Sequence, residues 1–240
     1  MKQFSNLYIF CFSSALVLVV AAALSFTALS LEGKQKENIE VERQQNILAA
    51  LGVETTKADV FAKFDQYIKE GIVIKSNGNK VGEIEKDIEM NLLGFLKKQN
   101  EIPVNERLLL LYRAELNGKS YVVIPVRGAG LWGPIWGNVA LESADMNTIR
   151  GVTFDHAGET PGLGAEINTA WFQERFQNKK LFNASGRFVS VKVEKPGTYT
   201  KDDHTVDGIS GGTITSKALE EMVRNSLEPY QTYFKQSKSN

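Results

Sequence analysis

Asp207-Gly208-Ile209-Ser210-Gly211-Gly212-Thr213-Ile214-Thr215-Ser216 gathers four hydroxyl side chains and three glycines into ten residues. An amphipathic run, Lys217 to Leu227, follows at once, so the stretch reads as a turn that opens a helix. Glycine takes up positive φ and lets the backbone come close to a ligand. The first N–H groups of a helix have no partner within it and favour an anion. Such a turn can hold a phosphate, or carry one covalently on a hydroxyl. A plain cap and turn uses the same residues. A nucleophile elbow is a third reading, because Gly208-Ile-Ser210-Gly-Gly212 fits Gly-x-Ser-x-Gly. That motif needs a buried strand before it and an acid and a His after it. Lys201-Asp-Asp-His-Thr-Val206 is too polar for such a strand, and neither His nor Asp follows Ser210. Hydrolase chemistry is excluded.

Composition narrows the remaining classes. The 240 residues are 42% hydrophobic and 23% charged, with 28 basic and 28 acidic side chains, which is ordinary for a globular chain. Zero net charge gives no reason to expect nucleic acid as a partner. Cys11 is the sole cysteine, so no intramolecular disulfide forms, and it lies far from His156 and His204, which argues against a zinc site. Redox chemistry, if present, falls to an organic cofactor.

The run from Leu7 to Leu31 holds no charged residue. As a helix it is about 37 Å long, enough to cross a hydrocarbon core of about 30 Å with some tilt. A cleaved signal peptide is the competing reading, but secretory apolar cores are shorter, about 7–15 residues. The charges on either side of the run do not decide its orientation. Residues 32–105 read as the helical part of the region beyond the span: a polar helix over 33–52, then a helix begun by a capping box at Thr56-Lys-Ala-Asp59. Val60, Phe61, Phe64 and Ile68 give the second helix an apolar face, and Gly71 is its expected stop. A loop and a short helix near Ile88 to Lys98 follow.

From residue 106 onward the pattern turns to strands. Leu108–Leu116 and Ser120–Val126 flank Asn117-Gly118, a strong hairpin signal, with Pro125 marking an edge or an end. Ile135–Leu141, Ile149–Phe154 and Phe188–Val193 are further strands. Ala170–Phe176 reads as a short helix, and the last helix starts near Ser216 and bends at Pro229. The fold class expected is α+β: one N-terminal transmembrane helix, then a domain with an antiparallel sheet and flanking helices. The divisions are 1–6 as a tail, 7–31 as the span, 32–105 and 106–240.

Two glycine turns lie inside the strand-rich part. Gly128-Ala-Gly130-Leu-Trp-Gly133 fits the dinucleotide pattern, but Pro134 and Gly137 interrupt the helix that pattern requires, so the match is false. Leu131, Trp132 and Trp136 are either core or one wall of a pocket for a flat ring. His156-Ala-Gly-Glu159-Thr160-Pro161-Gly162-Leu163-Gly164-Ala165 joins a strand to a helix through small residues. His156 is expected to be a satisfied strand-end residue.

Two of these turns carry a resemblance. Asp207-Gly-Ile-Ser-Gly-Gly-Thr213 resembles the acceptor motif of flavin transferases, Asp-x-x-Ser/Thr-Gly-Ala-Thr, with Gly212 in place of the usual Ala. Glu159-Thr-Pro-Gly-Leu-Gly164 is similar to the signature of FMN-binding domains in the C-type subunit of the Na⁺-translocating NADH:quinone oxidoreductase. The similarity runs from about Tyr121 to Met222 and, through the anchor, loosely over the whole chain.

The resemblance implies FMN joined through its phosphate to Thr213. Gly162, Leu163 and Gly164, with Thr160, would pack near the ring, beside Leu131 and Trp132. Glu159 would position the ring or its ribityl hydroxyls. Ser210, Gly211, Gly212 and Thr215 would shape the phosphate turn, and Asp207 would matter for recognition by the flavin transferase. No catalytic residue and no metal ligand is expected. The implied setting is a multi-subunit respiratory complex in a bacterial inner membrane, crossed once, with the globular part on the periplasmic side. NADH, quinone and Na⁺ would be handled by other subunits. Two rivals are the related G-type subunit of an Rnf ferredoxin:NAD⁺ complex and a non-redox anchored binding module.

Overall fold

A computed structural model describes residues 5–198, 200 and 202–237. Residues 1–4 of the expected tail, and Lys201 of the polar run before the acceptor turn, lie outside the described residues. The chain divides into two units, Met1–Glu40 and Val41–Asn240. Helix α1, Asn6–Ala50, supplies the first unit and the first element of the second. Its apolar part is exposed throughout and is long and apolar enough to cross a membrane.

The second unit is built on a six-stranded antiparallel sheet. Its strands are β1 (Ile68–Lys75), β2 (Lys80–Glu83), β3 (Leu108–Leu116), β4 (Lys119–Ala129), β5 (Pro134–Glu142) and β6 (Ile149–His156), in the order β2-β1-β3-β4-β5-β6. The β3–β4 turn is the one the sequence predicts: Asn117 and Gly118 both have positive φ, 52° and 73°, which a tight hairpin turn of matching twist requires. Pro125 sits neither at an edge strand nor at a strand end. Pairing of β4 with β3 stops at Val123, so from there β5 is the only sheet neighbour of β4 and the missing N–H is tolerated.

Alternation with period two sends Val122, Ile124 and Val126 to one core and Tyr121 and Val123 to another, so both faces of the sheet are covered. On the second face lie the end of α1 (Ile47, Leu48) and Val60 of α2, Val60–Tyr67. There Arg43 donates to the Tyr112 hydroxyl at 3.2 Å and lies over the Phe64 ring. Burial pushes the Tyr112 phenol up to about 12 against the opposing pull of Arg43. Two short helices, α3 (Lys86–Met90) and α4 (Leu92–Asn100), stand between β2 and β3.

The stretch 32–105 is therefore not wholly helical. The second helix stops at Tyr67, and Ile68–Lys75 is a strand paired with β3. Gly71 ends no helix; it faces Tyr112, where an added Cβ would come within 3.2 Å of the ring. The β-branched run Ile72-Val73-Ile74, buried in the sheet, outweighs the helical spacing before it. A boundary at 105/106 would divide one sheet.

Beyond β6 come a 3-10 turn at Gly164–Asn168, α5 (Ala170–Gln173) and a two-stranded parallel sheet of β7 (Lys192–Glu194) and β8 (Thr205–Asp207). The strand at 188–193 is thus shorter and later than expected, and β8 exists despite its polar approach. Asp202 supports that approach by accepting from the His204 N–H and the Thr205 hydroxyl. The first face of the main sheet is then covered by α6, Thr213–Leu227, and the 3-10 turn Glu228–Tyr230, after which α7, Gln231–Ser237, follows.

Candidate functional site

β8 delivers the chain into the turn at Gly208–Gly212, and α6 begins at Thr213, three residues earlier than its expected start. Gly211 takes φ +74°, which only glycine adopts at low cost. The Gly212 N–H donates to the Ile209 carbonyl and the Ser216 N–H to the Gly212 carbonyl, so the turn is closed and the helix follows without a gap. The N–H groups of Thr213, Ile214 and Thr215 fall in the first helical turn, where no helical carbonyl lies behind them. That is the geometry of an anion site at a helix start.

The four hydroxyls of the stretch divide in two. Thr215 and Ser216 are buried and engaged: Thr215 donates to Glu159 Oε2 at 2.6 Å, and Ser216 Oγ accepts the Ile209 N–H at 3.2 Å. Ser210 and Thr213 are exposed, and neither side chain makes a hydrogen bond among the described residues.

The 156–165 turn packs against this one. A Cβ added to Gly211 would lie 2.6 Å from Leu163 Cδ2, and one added to Gly164 would run into Thr215 Oγ1 and Glu159 Oε2. Glu159 is 4% exposed. Besides Thr215 its carboxylate accepts the Trp132 N–H, at 2.9 Å, so both oxygens are engaged within the protein. It braces the Trp132 loop and the start of α6 against each other. Thr160 is exposed, and its carbonyl accepts the Leu163 and Ala165 N–H groups that shape the loop. Gly162 is exposed with φ +74°. His156 is only half satisfied among the described residues: Nδ1 accepts the Glu159 N–H at 3.2 Å, while Nε2 is buried with no partner there.

Leu131 and Trp132 lie in the hairpin loop joining β4 to β5, closed by Gly130 N–H donating to the Gly133 carbonyl at 2.7 Å; no helix follows. Trp132 is 67% exposed and so is not core. Leu163, Trp171 and Ile214 are large apolar side chains exposed in the same way. Free helix amides, an exposed hydroxyl, glycines that admit close approach and an apolar rim together fit a phosphate attached to a flat aromatic group.

Asp207 stands apart from this open part of the turn. Its Oδ2 lies 3.5 Å from Arg175 Nη1, and its Oδ1 is buried without a hydrogen-bond partner among the described residues. Arg175, in the 3-10 segment after α5, reaches the turn and stacks at 4.6 Å on Trp171 of α5; the sequence offered both only as part of a short helix. Their spacing carries no signal of a site; only the fold places them there.

The FMN-binding domain family matches residues 130–228. Among curated proteins, the chain is 30% identical to the C-type subunit of the Na(+)-translocating NADH-quinone reductase of Haemophilus ducreyi, over 92% of this chain and 91% of that one. It is 29% identical to the same subunit of Neisseria meningitidis serogroup B, over 87% of each. Among solved structures, the corresponding protein of Parabacteroides distasonis superposes with a TM-score of 0.75 at 39% identity, covering 85% of this chain and 96% of that one. The Shewanella oneidensis NqrC structure shares the fold, with a TM-score of 0.69 at 24% identity over 86% and 100% of the two chains.

Proposed function

The chain belongs to the family of C-type subunits of Na(+)-translocating NADH-quinone reductases, and from that premise we propose that it is an anchored flavoprotein with FMN esterified to Thr213, relaying electrons within the assembled enzyme. The observation that carries the attachment is the division of hydroxyls. Thr215 and Ser216 are locked into internal hydrogen bonds, whereas Thr213 is exposed on the first turn of α6, beside free amides. Of the two open hydroxyls, Thr213 is the one on the helix itself, where backbone donors can meet phosphate oxygens.

Joining a phosphate monoester to an alcohol would release water, which is unfavourable in water. The donor therefore needs a leaving group, and a flavin dinucleotide supplies one. The Thr213 Oγ–P bond forms, the P–O–P anhydride breaks, AMP departs, and the hydroxyl proton is lost to solvent. A flavin transferase performs that step during maturation. Bound FMN supplies one- and two-electron transfer. The chain's own residues would hold it: amides of α6 at the phosphate, with Leu131, Trp132 and Leu163 screening the ring from water, while Gly164, Gly211 and Gly212 let the two turns pack closely on each other. The globular unit lies on the periplasmic side, and the helix containing Leu7–Leu31 anchors it beside the other subunits.

Mass spectrometry of the chain from its native membrane tests this reading. The peptide containing Thr213 should gain about 438 Da, FMN less water. Thr213→Ala should abolish the gain and Ser210→Ala should keep it. An unmodified native chain would overturn the electron-carrier reading and leave a non-redox anchored module.

A further inference from the structure

We infer that Arg175 is a positioning residue for flavin attachment, clamping the two residues that lead into the acceptor turn. The inference rests on the attachment reading and concerns a side chain from a separate part of the chain. Arg175 Nη1 donates to the Asp207 carbonyl at 2.6 Å and to the Gly208 carbonyl at 3.3 Å, and it lies 3.5 Å from Asp207 Oδ2. The guanidinium carbon lies 4.6 Å from the centroid of the Trp171 ring, so an aromatic face holds the cation from another side.

The need for a clamp follows from the topology. β8 is three residues long and, among the described residues, pairs only with β7, which is itself three residues long, in a sheet separate from the main one. Val193 and Val206 bury this ribbon in the main core, but its hydrogen-bonded pairing ends at Asp207, so the exit beyond it must be held by other contacts. Its exit continues into Gly208, then Ile209 and Ser210, then Gly211 and Gly212, so glycines with wide conformational freedom fill much of the path to Thr213. On one flank Gly208 is tied by its N–H to the Glu194 carbonyl at 2.7 Å. Arg175 ties the carbonyls, and it does so with charge-assisted hydrogen bonds, which are stronger than neutral ones. The cation thereby sets where β8 ends and how the Thr213 hydroxyl is presented. Reaction at an oxygen is sensitive to displacement on the order of 1 Å, which can cost about a hundredfold in rate.

All three acceptors converge on one nitrogen, so a lysine ammonium keeps a charged donor but loses the planar stack on Trp171, whereas methionine keeps the bulk without the donor. The test uses the full-length apo chain in detergent with a flavin transferase and FAD, well below the melting temperature, reading in-gel flavin fluorescence after denaturation. Arg175→Met should lower the maximal labelling rate about tenfold or more with little change in the KM for the chain. Arg175→Lys should recover only part of that rate, since an ammonium keeps the charge without the planar stack on Trp171. A structural role alone would lower the melting temperature and leave labelling of the folded protein at the wild-type rate; that result overturns the inference. A wild-type chain that takes no label on Thr213 overturns the attachment reading instead. The clamp is then judged by amide hydrogen exchange over residues 208–213 without flavin: faster exchange in Arg175→Met supports it, and unchanged exchange sinks it.

Discussion

Glu159 accepts hydrogen bonds from the Thr215 hydroxyl and the Trp132 amide, two groups that lie 56 and 27 residues from it along the chain. A buried carboxylate satisfied on both oxygens is costly to remove, because its donors stay behind in a site that water does not reach. Glu159→Leu should lower stability by about 1–3 kcal/mol, a loss read by denaturant titration. Flavin incorporation on Thr213 should fall with it, because the start of α6 loses its brace. Glu159→Gln retains an acceptor for the Trp132 amide and should be milder. Wild-type stability in Glu159→Leu would mean that the carboxylate is dispensable. The motif made Glu159 conspicuous, and the structure shows it joining the Trp132 loop to the start of α6.

At the scale of elements, only half of the capping box expected at Thr56-Asp59 is formed: Asp59 Oδ1 accepts the Thr56 N–H at 2.7 Å and its hydroxyl at 3.0 Å, so that hydroxyl caps no helical amide, and α2 starts only at Val60. The Lys63 ammonium, with the Thr56 N–H, holds the Asp59 carboxyl down at about 2. A depressed folded-state value means that the contribution is complete above the ordinary carboxylate range and is lost as pH falls toward 2. Asp59→Asn should therefore be less stable than wild type near neutrality, and the difference should shrink as pH drops from about 4 to 2, checked by thermal melts across that range. A gap that stays constant with pH would refute the role of its charge. At the other end of the unit, the Tyr230 hydroxyl donates to the Leu110 carbonyl at 2.6 Å, fully buried, and burial pushes the phenol far above its usual range. Tyr230→Phe leaves that carbonyl unpaired on β3 and should cost about 1–3 kcal/mol by chemical denaturation. A smaller loss would mean that water replaces the hydroxyl.

For the molecule as a whole, the unit Val41–Asn240 carries both cores, the sheet and every residue of the candidate site. Deleting Met1–Leu31 should yield a protein that stays in the soluble fraction and still accepts flavin on Thr213, whereas the full chain sediments with membranes; fractionation with flavin fluorescence distinguishes them. A truncated chain that folds but refuses flavin would place a needed determinant in the anchor. Deletion extended through Ala50 should fail more severely, since Ile47 and Leu48 are completely buried in the second core.

Local chemistry alone determined the apolar span, the Asn117-Gly118 hairpin, the strands around it and the two glycine turns. Each rests on a backbone preference or a periodicity that a few adjacent residues impose. The tertiary structure decided that Ile68–Lys75 is a strand, that short β8 forms behind a polar run, and that α6 starts at Thr213. It also decided which hydroxyls are free, what Glu159 holds, and that Arg175, 32 residues before Asp207, reaches its carbonyl. Those outcomes depend on partners distant in sequence. A strand needs a neighbour to complete its hydrogen bonds, and a side chain's partner is fixed only when separate segments pack together.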